Sequence, residues 1–171
     1  VEHLRTLIRD VPDFPSPGIL FRDIMPLLRA PHALREIVEA FAARHGADRI
    51  DIVAGVESRG FLFGAPLAQA LGVGFVAIRK LGKLPGPTIQ REYALEYGAN
   101  HLELQRDALR AGERVLIVDD VLATGGTARA AIDLVRELGA EPVAAAFVLE
   151  LSELGGRSVI GDHTVTSLLR Y

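Results

Sequence analysis

Residues 115–127 read Val-Leu-Ile-Val-Asp-Asp-Val-Leu-Ala-Thr-Gly-Gly-Thr, and their reading decides the fold. The apolar, β-branched run at 114–118 predicts a buried strand. Two adjacent carboxylates, Asp119 and Asp120, follow it. Ala123-Thr124-Gly125-Gly126-Thr127 then leads into a helix predicted over 127–138 and stopped by Gly139. Glycines let successive backbone N–H groups converge, and a helix N-terminus adds partial positive charge. Two threonine hydroxyls supply further donors. That set suits a terminal phosphate monoester. Asp119 and Asp120 would repel the phosphate itself and suit what lies beside it, sugar hydroxyls or a hydrated Mg²⁺. A bare Thr-Gly-Gly-Thr is an ordinary turn and a bare Asp pair is a solvated one. Strand, acids and helix in register carry the ligand reading.

Outward from this segment the pattern alternates. Helices are predicted over 32–45, with Leu34, Ile37, Val38, Phe41 and Ala42 on one side, and over 61–71. Strands are predicted over 50–56, 74–78, 143–149 and 164–169. Residues 11–18 and 81–88 are broken by proline and glycine and read as irregular. Strands alternating with helices of about a dozen residues imply βαβ units. The expected class is α/β, a mostly parallel central sheet flanked by helices, in a single domain over 1–171. Such sheets bind ligands at the carboxyl ends of their strands, in loops that precede helices. Residues 57–60 and 119–126 are the two such loops.

The composition narrows the function. The chain has 171 residues, 49% hydrophobic and 24% charged, a net charge of −3 and no cysteine. A disulfide scaffold, a zinc ribbon and a thiol nucleophile are therefore excluded. The mild acidity argues against a nucleic-acid surface. The longest apolar run, 143–149, is far short of the ~20 residues that span a bilayer, and no apolar leader opens the chain, so a cytoplasmic protein is expected. No G-x-x-x-x-G-K-[ST] loop or G-x-G-x-x-G fingerprint occurs. The five histidines, His3, His32, His45, His101 and His163, share no ligand spacing and are expected at the surface or at caps.

Three further segments carry chemistry. In Gly55-Val56-Glu57-Ser58-Arg59-Gly60-Phe61, an arginine and a glycine before a helix can offer a guanidinium and backbone donors to a diphosphate. Residues 79–98, RKLGKLPGPTIQREYALEYG, place Arg79, Lys80, Lys83 and Arg91 before the first acid, Glu92. A cationic loop interrupted by glycine and proline suits closure over an anionic substrate, and equally suits a solvated basic hairpin. In Phe14-Pro15-Ser16-Pro17-Gly18-Ile19-Leu20-Phe21-Arg22-Asp23-Ile24, an extended backbone offers N–H and C=O groups and Phe21 a stacking face. A core role for Phe21 is the alternative.

Residues 115–127 resemble the donor-binding motif of the type I phosphoribosyltransferases, and the other three segments resemble the adenine-using branch of that family. The resemblance spans about residues 14–127. It implies transfer of the 5-phosphoribosyl group from 5-phosphoribosyl 1-diphosphate to adenine, giving AMP and diphosphate, with Mg²⁺ as cofactor and a homodimer as assembly. By resemblance, Ala123, Thr124, Gly125, Gly126 and Thr127 hold the 5′-phosphate, and Asp119 and Asp120 serve the ribose near the metal. Ser58, Arg59, Arg79, Lys80 and Lys83 face the diphosphate, and some hood cations come from a neighbouring subunit. Leu20, Phe21 and Arg22, within a base-binding segment 11–24, face adenine. Glu92 and Tyr93, in a flexible hood 79–98, join Arg59 as catalytic residues. Two other readings stay open: a sibling acting on xanthine, hypoxanthine or orotate, and a non-enzymatic regulator that senses the donor.

Overall fold

The computed structural model describes residues 1–94 and 99–171, without the side chains of 94 and 99. A 3₁₀ turn, Glu2–Leu7, leads into β1 (Arg9–Pro12) and β2 (Leu20–Asp23). Next come α1 (Met25–Arg29), α2 (Ala33–His45), β3 (Ile52–Val56), α3 (Gly60–Leu71) and β4 (Gly74–Lys80). β5 (Thr88–Ala94), β6 (Ala99–Gln105), β7 (Arg114–Leu122) and α4 (Gly126–Glu137) follow. β8 (Glu141–Glu150), a 3₁₀ turn at Ser152–Leu154, α5 (Gly156–Ile160) and β9 (Thr164–Arg170) complete the chain.

The main sheet has the order β5-β6-β4-β3-β7-β8-β9. β4, β3, β7, β8 and β9 run parallel, and the β5–β6 hairpin joins the β4 edge antiparallel. The expected α/β sheet is therefore present, with every predicted helix and strand within two or three residues of its expected bounds except at the end of β7. The apolar strands are buried on both faces, as parallel strands with crossover helices must be. One core lies between the sheet and α1, α2 and α3, around Phe41, Phe63 and Leu116. The other lies under α4 and the hairpin, around Ile78, Leu104, Leu134 and Phe147.

Four expectations need correction. Residues 11–18 are not irregular throughout, because β1 pairs antiparallel with β2, Val11 opposite Phe21 and Pro12 opposite Leu20. Proline is tolerated there because the pair is an isolated edge. Residues 119–126 are not all loop, because β7 continues to Leu122 and Asp119 and Val121 pair with β8. The hood carries one arm of a hairpin, β5, with Glu92 opposite His101 of β6, and residues 95–98 of it lie outside the described residues. Its base is pinned by the buried carboxylate of Glu103, which accepts the backbone N–H groups of Lys83 (2.7 Å) and Leu84 (2.8 Å). Burial would raise the pKa of Glu103, but those donors hold it below the ordinary carboxylate value.

The fourth correction is His45, which is neither at the surface nor a cap. It is 2% exposed, in register with the inward stripe Ala33, Ile37 and Phe41, and its Nδ1 meets Asp48 Oδ2 at 2.7 Å. Four-residue spacing from Phe41 was the signal in the sequence.

At the far end of β8, the buried Glu150 receives a two-pronged grip from Arg157, Nε to Oε1 and Nη2 to Oε2, both 2.7 Å. The hydrogen bonds from Arg157 hold the Glu150 carboxyl below its ordinary value of 4.5, against the opposing effect of burial. A depressed folded pKa makes this pair stabilising above pH 4.5, and that stability is lost as pH falls through the lower folded value. Glu150→Gln is expected to cost about 2 kcal/mol at pH 7 and to unfold with less dependence on pH between 5 and 3. Urea unfolding across that range checks both.

Candidate active site

β7 and the loop after β3 meet because α3 begins directly against β7 at Val118 and Asp119, before that strand ends at Leu122. A Cβ added at Gly60 would lie 2.5 Å from the Val118 carbonyl oxygen and 3.1 Å from Asp119 Oδ1. Only a glycine lets these backbones approach so closely. Arg59, one residue earlier, is thereby brought over the acids. Its guanidinium lies against Asp120 Oδ2 at an angle outside hydrogen-bonding geometry, so this buried oxygen has no hydrogen-bond donor among the described residues. Asp120 donates its backbone N–H to Asp119 Oδ1 at 2.8 Å. Burial, and then the charge of Asp120, push the Asp119 carboxyl well above its ordinary value; Arg59 opposes the shift.

Beyond the acids, Gly125 takes a left-handed φ of +87° and α4 starts at Gly126. The first amides of α4 have no partner within the helix, and beside them lies a niche of about 70 Å³ lined by Asp119, Thr124, Gly125, Thr127 and Ala128. A concave site with converging backbone donors holds an anion of phosphate size.

Beside this niche lies a cleft of about 320 Å³, where β2, the start of α3, the continuous stretch 119–127 and Leu151 converge. Leu20, Phe21 and Arg22 come from β2, Arg59 from the α3 start, Asp119 and Asp120 from β7, and Ala123 and Thr127 from the phosphate loop. The Arg59 guanidinium stands 5.9 Å from the Phe21 ring centroid, and Phe14 meets Phe21 edge to face at 5.1 Å. Phe21 is half-buried and lines the cleft, so its role is not confined to the core. Arg22 pairs with Asp10 and stacks on Tyr171, 4.3 Å from the ring centroid.

The family follows from this arrangement. The phosphoribosyl transferase domain family matches residues 26–168. The adenine phosphoribosyltransferase of Anaeromyxobacter sp. (strain Fw109-5) is 57% identical over 171 residues, 100% of this chain and 97% of that one. The chain belongs to the adenine phosphoribosyltransferases of the type I phosphoribosyltransferase family. The crystal structure of the Thermoanaerobacter pseudethanolicus adenine phosphoribosyltransferase superposes with a TM-score of 0.96 at 46% identity, covering 99% of both chains. That of Saccharomyces cerevisiae, complexed with an imino-altritol bisphosphate and adenine, gives 0.93 at 46% identity, covering 98% of this chain and 97% of that one.

In this adenine phosphoribosyltransferase not every expected residue reaches the shared cleft. Glu92 and Tyr93 line a neighbouring cleft of about 360 Å³ with Thr124, Gly126, Arg129 and Val159, next to the phosphate loop but apart from Phe21 and Arg59. Ser58, Lys80 and Lys83 line none of these three clefts, and the two lysine side chains are exposed. The hood cations are also partly engaged. Arg79 grips Glu57, Nε to Oε2 at 3.1 Å, and Arg91 pairs with Glu137 at 2.8 Å.

Glu57 and Leu151 were not legible as site residues. Glu57 accepts the Lys80 N–H at 2.9 Å as well as Arg79, tying the loop after β3 to the end of β4. Leu151 lines the 320 Å³ cleft from just past the end of β8, and as one leucine after an apolar strand it carries no motif signal. No helix among the described residues is long and apolar enough to cross a membrane.

Proposed function

We propose that the transfer of the 5-phosphoribosyl group to adenine runs across the 320 Å³ cleft, with the residue roles that follow. The observation that carries the reading is the convergence there of base segment, Arg59, paired acids and phosphate loop. Ala123 to Thr127 grip the 5′-phosphate of 5-phosphoribosyl 1-diphosphate through the α4 amides and threonine hydroxyls. Asp119 and Asp120 accept the ribose hydroxyls. The backbone of Leu20 and Arg22 pairs with the adenine edge, and Phe21 packs on its face.

Departure of diphosphate leaves positive charge developing on the ribose. The chain's task is to hold both ends of the donor and to receive the negative charge that leaves. Arg59 moves from Asp120 toward the diphosphate, joined by Ser58, Arg79, Lys80 and Lys83. Closure of the hood brings Glu92 and Tyr93 over the cleft and excludes water. Glu92 exchanges a proton at an imidazole nitrogen of adenine as N9 attacks, and Tyr93 covers the reacting sugar.

A hydrated Mg²⁺ fits this site. The buried Asp120 Oδ2 lacks a hydrogen-bond donor among the described residues, and Asp119 and Asp120 would hold such an ion through its water. Bound there, it neutralises charge on the diphosphate. The active assembly is a cytoplasmic homodimer in which hood cations reach across. The absence of charge from α3, with Leu62 44% exposed on it, supports an interface between copies.

Incubation with adenine, the donor and Mg²⁺ should yield AMP and diphosphate, and EDTA should abolish the yield until Mg²⁺ is restored. Loss of Mg²⁺ dependence would exclude the metal role. Glu92→Gln is expected to lower kcat about 100-fold with little change in the KM for adenine. An unchanged kcat would remove Glu92 from proton transfer.

A further inference from the structure

The turn between β8 and β9 is absent from every motif discussed above, yet it touches the phosphate loop at its centre. Gly125 and Gly156 are both buried and cross backbone to backbone. A Cβ at Gly125 would lie 2.5 Å from the Gly156 carbonyl oxygen and 3.0 Å from its Cα. Reciprocally, a Cβ at Gly156 would strike the Ala123 carbonyl oxygen and lie 2.8 Å from Leu122 Cδ1. Neither backbone can shift without moving the other, since interiors are packed without slack.

The turn is itself fixed by the next residue. Arg157 holds both oxygens of Glu150 at 2.7 Å, and its Nη1 donates to the Val165 carbonyl at 3.1 Å. Glu150 ends β8 and Val165 lies in β9, so the guanidinium locks the turn to two strands of the sheet. The path from sheet to phosphate loop is continuous: β8 and β9, Arg157, Gly156, Gly125.

We infer that Gly156 and Arg157 are positioning residues for the 5′-phosphate, bracing the loop 123–127 from behind so that its amides stay aimed at the anion. The inference rests on the assignment of that loop to the 5′-phosphate. An unbraced loop would have to be ordered by the ligand, and that cost falls on affinity for phosphate-bearing ligands alone. Adenine, which lacks the phosphate, is recognised elsewhere in the cleft.

Gly156→Ala is expected to raise the donor KM and the Kd for AMP about tenfold or more, with the KM for adenine unchanged. Gly155→Ala is the control. Gly155 has φ +66° with nothing within 4 Å of an added Cβ, so it bears backbone strain without touching the loop. Its donor KM should stay at the wild-type value. Should Gly156→Ala not fold, Arg157→Lys keeps the charge, loses the two-pronged grip, and should shift donor KM and AMP Kd in the same selective way. Equal rises in the adenine and donor KM values, or an unchanged donor KM while Gly125→Ala raises it, would overturn the brace. If Gly125→Ala also leaves the donor KM unchanged, the phosphate assignment of the loop falls first, and the brace with it.

Discussion

Gly125→Ala should cut kcat/KM for the phosphoribosyl donor by about 100-fold, the penalty expected when a gripping loop is displaced by about 1 Å. Two physical terms act together at this residue. Its φ of +87° is left-handed, which costs a residue with a Cβ about 1–2 kcal/mol. In addition, the new methyl would meet the Gly156 carbonyl at 2.5 Å and Val159 Cβ at 3.0 Å. Strain alone lowers stability, whereas the collision displaces the amides that face the phosphate. Gly112→Ala separates the two. Gly112 has a similar φ of +82° but open space around an added Cβ. It should show the same order of stability loss with wild-type kinetics. Steady-state kinetics beside thermal unfolding of both variants decides the matter, and equal kinetic losses would show that general destabilisation, not loop geometry, is responsible.

Asp120→Asn is expected to separate stability from activity in the opposite direction. Two adjacent carboxylates within β7 repel one another, and the raised pKa of Asp119 records burial together with that repulsion. Removing one charge should leave the melting temperature unchanged or higher. The same change removes the acceptor whose Oδ2 has no hydrogen-bond donor and takes away the partner of Arg59. The donor kcat/KM should fall about 10–100-fold, the usual consequence of removing a group that orients a bound ion through its water. The Mg²⁺ concentration for half-maximal rate should rise as well. A variant that is both less stable and fully active would contradict the assignment. Charged pairs at functional sites commonly trade stability for function in this way.

The legibility of the site follows from its locality. The strand–loop–helix unit was readable because its parts are consecutive: the strand, the acids, the glycines and the helix start lie within 115–127, and backbone amides at a helix start point the same way in any surrounding fold. The βαβ alternation was readable for a similar reason, since periodicity is a local property. The β5–β6 hairpin was harder to see, because Pro85, Gly86 and Pro87 mark a break without stating which strands pair on either side of it. Pairing is settled by the free edge of β4, where Arg79 meets Glu103 and Lys80 meets Leu102.

Charge was the most misleading local signal. Arg79, Lys80, Lys83 and Arg91 form an unbroken cationic series in the sequence, yet in the fold Arg79 faces Glu57 and Arg91 faces Glu137. A count along the chain cannot register partners that arrive from 22 or 46 residues away. His45 erred in the same sense, a polar residue assigned by type although its spacing placed it inward.

By itself, then, the sequence determined the sheet type, because its periodicity is local, and through the resemblance of four short segments it determined the adenine branch of the family. Only the tertiary structure decided that Arg59 rests on Asp120, that Leu151 joins Phe21 in one cleft, that Glu92 and Tyr93 stand in the cleft next door, and that Gly156 backs Gly125. Those contacts join residues carried together by parallel crossovers, and their geometry depends on strand register and close packing, which no short segment encodes alone.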